Sequence, residues 1–192
     1  MEKWNKLADD KIIQKTIQAL KANNINTIVV ESGEQAKIKA LELIPKNSEV
    51  MNMTSVTLDT IGISKEINES GNYSSVRKKL MSFNLKTPNK EMLALGAVPD
   101  YSIGSVHAVT EDGKLVIASN TGSQLAAEVY GSPHVIFVVG TQKIVKNLDE
   151  ALKRVFEHSL PLESERAKKA YGVAGSAVNK LVIINKENNP SR

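Results

Sequence analysis

The chain has 192 residues, of which 41% are hydrophobic and 24% are charged, and these proportions are typical of a soluble globular protein. Its net charge of +4 is spread along the chain and only 4% of the residues are aromatic, so no nucleic-acid partner is expected. The absence of cysteine excludes disulfides, Cys-ligated zinc, iron–sulfur ligation and thiol nucleophiles. No apolar stretch is long enough to span a membrane. We therefore predict a single cytoplasmic domain, residues 1–192, with no metal or cofactor of its own.

Helical and extended patterns alternate in the first third of the chain. Apolar residues recur at helical spacing over the first twenty or so residues, and an apolar run at Thr27–Glu31 predicts the first strand. Ser32-Gly33 then opens a second helix, Ser48–Met53 is typical of a strand, and a short helix follows through Ile61. This alternation predicts a parallel α/β sheet.

The middle of the chain is less regular and leads into a hairpin. We predict a helix over Tyr73–Phe83 and another that starts at Thr87-Pro88, because proline suits the first helical turn. The run Tyr101–Thr110 and the return strand Leu115–Ala118 flank Glu111-Asp112-Gly113-Lys114. An Asp-Gly pair between two such runs indicates an antiparallel hairpin, since it supplies the positive φ angles of a tight turn.

Loop, helix and strand signals follow in turn after the hairpin. Residues 119–124 are small and polar and predict a helix that runs through Tyr130, and the apolar run Val135–Val139 predicts a strand buried on both faces in the middle of a sheet. Asn147 is expected to cap a helix that Pro161 ends. A polar helix over Glu163–Tyr171 and a strand over Lys180–Asn185 complete the prediction: an α/β fold with a mixed, mostly parallel sheet, covered by helices and carrying an antiparallel hairpin.

Loops after the predicted strands are the expected ligand site, because ligands collect at the carboxyl ends of strands in an open α/β sheet. Hydroxyls and N–H groups at the start of a helix suit an anion such as phosphate or carboxylate, and a lysine supplies countercharge. Helix capping is the alternative for the Ser and Thr residues, and an ordinary surface position is the alternative for the lysine. The anion-binding candidates are Thr54, Ser55, Thr57, Asn120, Thr121, Gly122, Ser123 and Lys143.

Two residues are candidates for catalysis, each with a structural alternative. His107 lies in a predicted strand and either faces a cleft or pairs within the sheet. Glu111 sits in the hairpin turn, where an acidic residue is ordinary, and its candidacy depends on the resemblance described below. His134 and His158 are interpreted as structural, and no pair of histidines has the spacing of metal ligands.

Several blocks of the sequence resemble the lactate-utilisation (LUD domain) family. They are DYSIGSVHAVTEDGKLVIASNTGSQLA, VIFVVGTQKIVKNLDEALKR and AYGVAGSAVNKLVIINKE, with MNMTSVTLDTIGI as an earlier loop. The resemblance covers most of the chain from about Asp100 onward. It implies a fold similar to the sugar-phosphate isomerase and CoA-transferase superfamily, in which some members use a glutamate as acyl nucleophile. The resemblance therefore implies Glu111 as a potential nucleophile.

The resemblance also implies two alternative functions. In the first, the protein is an accessory or ligand-binding subunit in L-lactate or organic-acid utilisation, and iron–sulfur clusters belong to separate redox partners because this chain has no cysteine. In the second, it is a stand-alone enzyme acting on a small phosphorylated or CoA-linked substrate. Both alternatives call for a small anionic metabolite as ligand. A homodimer is the expected assembly, since closed two-fold assemblies are the commonest.

Overall fold

In a computed structural model, which describes residues 2–84, 87 and 89–192, the chain combines helices with two four-stranded sheets. The expected α/β fold is confirmed. The chain forms two compact units: unit 1 comprises Met1–Thr27, Val106–Gly122 and Val139–Pro190, and unit 2 comprises Ile28–Ser105, Ser123–Val138 and Ser191–Arg192. The assignment of residues 1–192 to a single domain stays a prediction.

Eight α-helices and eight strands are present among the described residues. The helices are α1 (Asp10–Ala22), α2 (Gly33–Glu42), α3 (Val56–Thr60), α4 (Ile63–Glu69), α5 (Val76–Met81), α6 (Lys90–Ala97), α7 (Leu148–Arg154) and α8 (Leu160–Tyr171). The strands are β1 (Glu49–Asn52), β2 (Ser74–Ser75), β3 (Tyr101–Gly104), β4 (Ala108–Thr110), β5 (Leu115–Ser119), β6 (His134–Phe137), β7 (Ile144–Val145) and β8 (Lys180–Ile184). Two π-helical turns, the first at Ala127–Gly131 and the second at Val155–Ser159, and two short 3₁₀ turns complete the fold. In the described part of the chain, no helix combines the length and apolar character that crossing a bilayer requires.

Unit 2 is built on a parallel sheet with the strand order β2-β1-β3-β6. Val50 pairs with Tyr101 and Asn52 with Ile103, so the carboxyl ends of β1 and β3 lie side by side. Apolar residues cover both faces of the sheet, as a parallel sheet requires. One face packs Val50 and Ile103 against Ala40, Ile44, Leu58, Ile63 and Ile67, and a second cluster contains Met51, Met53, Val76 and Ala127.

Unit 1 is built on a mixed sheet with the strand order β7-β4-β5-β8. The predicted hairpin is confirmed in β4 and β5, and Gly113 in its turn has the positive φ of +82° that glycine tolerates. β8 pairs antiparallel with β5 along five residues, and every residue of β5 is buried. The core beneath this sheet contains Trp4, Ala108, Val116, Ala118, Val145, Ala151 and Val155.

Three sequence predictions about strands are wrong. Thr27–Glu31 forms no strand: Ile28 and Val29 are exposed, and a β-branched run becomes a strand only where a neighbouring strand pairs with it. The run Tyr101–Thr110 is two strands, and β3 and β4 belong to different sheets. β6 lies at the edge of its sheet and is only partly buried, so its apolar run does not mark a central strand.

Several helices begin at residues other than the predicted ones, because side-chain caps fix where they start. α1 begins at Asp10 because the Asp9 carboxylate accepts a hydrogen bond of 2.9 Å from the Ile12 N–H. The predicted helix over Tyr73–Phe83 shortens to α5, because Ser74 and Ser75 pair with β1 and Ser75 caps the helix. α6 begins after its cap at Asn89. The predicted start at Thr87-Pro88 includes Pro88, which lies outside the described residues.

Of two predictions for the chain after the hairpin, the helix that follows residues 119–124 is confirmed in part, and the helix end at Pro161 is wrong. Helical residues start at Leu125, directly after the loop at residues 119–124, and continue through the first π turn, Ala127–Gly131, and the Glu128 N–H bonds the Gln124 carbonyl at 3.1 Å. Pro161 does not end its helix, since α7, the second π turn and α8 follow one another without interruption. In the second π turn the Leu160 N–H bonds the Val155 carbonyl. This wider turn lies directly before the proline, which has no N–H for the usual helical bond.

Candidate functional site

His107 lies in unit 1, directly before β4. Its backbone N–H donates to the Val116 carbonyl at 2.9 Å, and its Nδ1 accepts a 3.1 Å hydrogen bond from the Ala118 N–H. Because Nδ1 is an acceptor, the neutral ring carries its proton on Nε2. Burial, followed by the positive charges of Lys143 and Arg154, lowers the His107 pKa to about 4 against an opposing effect of Glu163. His107 is therefore a neutral hydrogen-bond donor near pH 7.

Lys143 reaches the same region from the 3₁₀ turn Thr141–Lys143. Its Nζ donates to the Val106 carbonyl at 3.0 Å, and the side chain is partly buried. Burial, followed by the nearby positive charge of Arg154, lowers the Lys143 pKa to about 8. The amine remains mostly protonated at pH 7, but it loses its proton far more readily than an ordinary lysine does.

Arg154 ends α7 and is 4% exposed. Its guanidinium donates to the His107 carbonyl and, at 3.2 Å, to the Ser159 hydroxyl, while its Nε has no hydrogen-bond partner. None of the ion pairs formed by the described residues includes Arg154. Burial lowers the Arg154 pKa to about 10. Burying a charge without an opposite charge beside it costs free energy. The unpaired charge of Arg154 is therefore the strongest indication of a site in unit 1.

His158 lies four residues beyond Arg154, in the second π turn. It is 7% exposed, and its Nδ1 has no hydrogen-bond partner. Burial lowers its pKa, and the positive charges of Arg154 and Lys143 lower it further. The His158 Nδ1 is therefore, like the Arg154 Nε, a buried polar atom without a hydrogen-bond partner.

We call His107, Lys143, Arg154 and His158 the basic cluster. Its members influence one another electrostatically, and each has a pKa below its ordinary value. Glu163, the acidic group that acts on His107, binds Arg166 through two hydrogen bonds of 2.7 and 2.6 Å. An anionic ligand would relieve the repulsion between Arg154 and Lys143 and supply the acceptor that the buried Arg154 Nε lacks. The basic cluster is therefore the candidate functional site.

An open groove elsewhere in unit 1 is less suited to an anion. It has a volume of about 470 Å³, and its lining includes Trp4 and four lysines. Glu150, also in the lining, pairs with Lys3 at 2.7 Å and with Lys153 at 3.4 Å, so part of the lysine charge is already neutralised. Within the described residues, no group of three or more His, Asp or Glu side chains is arranged to hold a metal ion.

Unit 1 brings two of the sequence candidates together and leaves others outside the cluster. Lys143 and His107 are both members. Glu111 instead forms a 2.7 Å ion pair with Lys15 of α1, a contact that fixes the hairpin turn against that helix. Its role as a catalytic residue receives no support from this position.

The predicted anion loop around Asn120 is held by contacts within unit 1. The Asn120 side chain accepts a 2.7 Å hydrogen bond from Asn179, and the Gly122 N–H donates to the Ser119 hydroxyl at 2.8 Å. A Cβ on Gly122 would lie 2.7 Å from the Lys180 side chain. Thr121 lies in the same turn, while Ser123 belongs to unit 2. The helical residues that follow this loop run only from Leu125 to Gly131, so this segment is too short to provide a helix-end anion site of its own.

Thr54, Ser55 and Thr57 lie in unit 2, after β1. Ser55 caps α3 by accepting from the Leu58 N–H, as the alternative interpretation predicts. Thr54 is exposed, and its hydroxyl accepts a 2.9 Å hydrogen bond from Arg77, whose Nε also binds the Asn52 carbonyl. This segment thus has a cation beside it, but α3 has only five residues and provides no helix-end site of its own.

Unit 2 also contains a buried carboxyl that sequence analysis did not identify. Glu128 lies in the first π turn, is 1% exposed, and its Oε2 has no partner. Its Oε1 lies so close to Gly104 that a Cβ there would be 2.6 Å away. Burial raises the Glu128 pKa to about 8, so the group is mostly neutral at pH 7.

Arg154 and His158 were also missed as functional residues, although the sequence carries a signal for them. They follow Ala151 at intervals of three and four, so they continue the inward stripe of α7 together with Val155. Charged and polar residues on such a stripe are rarely fully buried unless they have a partner. A buried arginine at an inward position therefore indicates a site.

The architecture defines an α/β protein with a partly buried cationic site in its mixed-sheet unit. The model of the LUD domain family matches residues 13–188, and the chain belongs to this family. The suspected membership is thus confirmed, and the protein is related to lactate utilisation. No curated protein matches the chain.

Proposed function

We propose that the protein binds a small organic-acid anion at the basic cluster and serves as an accessory or ligand-binding subunit in L-lactate or organic-acid utilisation. The observation that carries this proposal is Arg154, a buried guanidinium with no carboxylate partner among the described residues and with an unpartnered Nε. Membership of the LUD domain family supports the choice of an organic acid.

The charge of the basic cluster favours a ligand with few negative charges. Arg154 and Lys143 carry the positive charge near pH 7, whereas the lowered pKa of His107 keeps its ring neutral. Two cations balance one or two negative charges, which suits a carboxylate better than a polyphosphate. His107 contributes a neutral N–H donor, which suits a hydroxyl or carbonyl oxygen of the same ligand.

Electron transfer belongs to other proteins under this proposal. The chain has no cysteine to ligate an iron–sulfur cluster. We propose separate iron–sulfur redox proteins as partners, a cytoplasmic location and a homodimeric assembly. The alternative is a stand-alone enzyme that acts on a small phosphorylated or CoA-linked substrate. The lowered pKa of Lys143 favours that alternative, since such an amine is suited to chemistry as well as to binding.

Ligand-induced stabilisation tests the proposal. Lactate, pyruvate, phosphate, sugar phosphates and CoA esters are compared by thermal shift and titration calorimetry, since a ligand of the native state raises Tm by mass action. We expect a small carboxylate to raise Tm, and Arg154→Met to weaken its binding about 10- to 100-fold, as loss of a charged hydrogen bond does.

Lys146→Met is the matched control, because Lys146 is an exposed lysine close to Lys143 in sequence. It removes the same unit of charge and should bind like the wild type. If no carboxylate binds, or if Arg154→Met binds as well as Lys146→Met, the basic cluster is not the ligand site. A response to CoA esters or sugar phosphates alone would establish the alternative.

A further inference from the structure

The Lys143 amine is held in a position from which it could react with a bound ligand as well as balance its charge. Its Nζ is held on the Val106 carbonyl at 3.0 Å, and the Arg154 guanidinium is held on the carbonyl of the next residue, His107. Two cationic groups are thus anchored on consecutive carbonyl oxygens. Lys143 is partly exposed, whereas Arg154 is buried. A ligand carboxylate bound by the deeper guanidinium would leave the rest of the ligand beside the shallower amine.

We propose that Lys143 forms a reversible imine with the carbonyl group of a bound 2-oxo acid. The inference rests on the proposed anion site and adds a covalent step to it. It selects, among small carboxylates, those with a carbonyl next to the carboxylate, because an amine adds to a carbonyl carbon and not to the hydroxyl-bearing carbon of lactate. A nearby second cation activates a lysine by favouring its neutral form, and the lowered pKa of Lys143 agrees with such activation.

The step balances without an oxidant or reductant. The lone pair of the neutral Lys143 amine forms a C–N bond with the carbonyl carbon as the C=O π bond breaks, nitrogen loses one proton and the oxygen gains one, which gives a carbinolamine. Nitrogen then loses its second proton and the oxygen gains another, the C–O bond breaks, water leaves, and a C=N bond remains. Amine and ketone thus give imine and water, and hydrolysis reverses the reaction.

The other residues of the basic cluster have distinct roles in this step. Arg154 binds and orients the carboxylate. The Ala118 N–H fixes the His107 tautomer, so the Nε2–H is a donor for the oxygen on which negative charge develops. The lowered pKa of His107 prevents this ring from acting as a cationic acid above about pH 5. His107 is therefore a positioning residue, and Lys143 is the nucleophile.

Reductive trapping tests the inference. The full chain is incubated with pyruvate and cyanoborohydride, which reduces an imine to a stable secondary amine, and the products are analysed by intact mass and peptide mapping. We expect one adduct per chain, located at Lys143, and at least a tenfold lower yield with Lys143→Arg, which keeps the charge. Lys146→Arg should react like the wild type, and lactate, which has no carbonyl, should give no adduct.

The same samples separate this inference from the proposed function. If pyruvate and lactate bind and Arg154→Met weakens both, but trapping labels no lysine or labels many lysines equally, the imine is wrong and the anion site stands. If neither acid binds, the proposed function fails. A wild-type chain that binds lactate and yields a single pyruvate adduct at Lys143 supports both.

Discussion

Arg154 shows how one buried side chain can reveal a site that has no motif. Its charge is removed from solvent, its hydrogen-bond partners are a carbonyl and a hydroxyl, and no carboxylate of the described residues neutralises it. Replacing a buried ion by an apolar residue is often neutral for stability or even favourable. If Arg154 is present to bind an anion, Arg154→Met should lose that binding while its Tm without ligand stays close to that of the wild type.

The pH dependence of anion binding follows from Lys143. Its folded pKa is about 8, so the amine is charged below that pH and an anion benefits from the charge. Bound anion favours the protonated form, so binding takes up protons near pH 8. We expect affinity to be constant from about pH 6 to 7.5 and to fall as the pH rises above about 8.

Calorimetry in two buffers with different ionisation enthalpies measures this proton uptake. Lys143→Arg keeps its charge throughout the range, so its affinity should not change between pH 7 and 9.5. An unchanged wild-type affinity over the same range would show that Lys143 does not contact the anion.

Glu128, which lies in unit 2, predicts that the free energy of unfolding also depends on pH. Its pKa is raised from 4.5 to about 8 by burial, so between these values the folded state holds a proton that the unfolded state has released. Stability contributed by the neutral carboxyl is complete below about pH 4.5 and is lost as the pH rises to about 8, with a slope of at most about 1.4 kcal/mol per pH unit.

Glu128→Gln removes the ionisation and keeps the shape of the side chain. Its free energy of unfolding, measured by urea titration, should exceed that of the wild type by more at pH 8.5 than at pH 5. The exposed Glu91 provides the control, since Glu91→Gln should shift stability equally at both pH values. If the two variants behave alike, Glu128 is not buried as a neutral acid.

At the scale of the elements, the hairpin of β4 and β5 depends on a glycine, Gly113, in its turn. Gly113 has a φ of +82°, and a Cβ there would lie 2.7 Å from the backbone of Ala19 in α1. Gly113→Ala therefore combines backbone strain with a clash against backbone atoms, and we expect a loss of more than about 1 kcal/mol in the free energy of unfolding. Gly172, with a φ of +67° and open space around it, is the matched control.

Gly172→Ala should show the strain alone and so a smaller loss than Gly113→Ala. Both values come from chemical denaturation of the full chain. Equal losses would mean that α1 moves away from the hairpin turn at little cost.

The sequence predicts those elements whose signals are local. Asn147 caps α7 by accepting from the Glu150 N–H at 3.0 Å, and the Asp-Gly turn closes the hairpin as expected. The failures concern distant neighbours. Nothing in Thr27–Glu31 indicates that the run lacks a pairing strand, and nothing in Val135–Val139 indicates that β6 is an edge strand.

The residues of the candidate site also differ in how well the sequence predicts them. Lys143 and His107 are predictable, because a lysine after a strand and a histidine next to one are typical site residues. Arg154 and His158 have only a weaker signal, their place on the inward stripe of α7, because their burial depends on how α7 packs against β4. The same holds for Glu128, whose raised pKa has no local signature.

At the scale of the whole molecule, the composition limits what the protein does alone. The chain has no cysteine, so we expect the purified protein to show no visible iron–sulfur absorbance and no lactate-dependent dye reduction. Under the proposed function, activity appears when iron–sulfur partner proteins are added, and Arg154→Met lowers it. Lactate-dependent dye reduction by this chain alone would contradict the proposed division of roles.

The path of the chain between its two units has a consequence for biosynthesis. The chain passes from one unit to the other five times, so neither unit is a continuous segment that fragment expression could isolate. β8 pairs along its whole length with β5, more than sixty residues earlier. The mixed sheet cannot close until the ribosome has released residues 180–184, and until then β5 has an open edge. Nascent chains stalled before this point should therefore need chaperones, although every residue of the basic cluster has already been made.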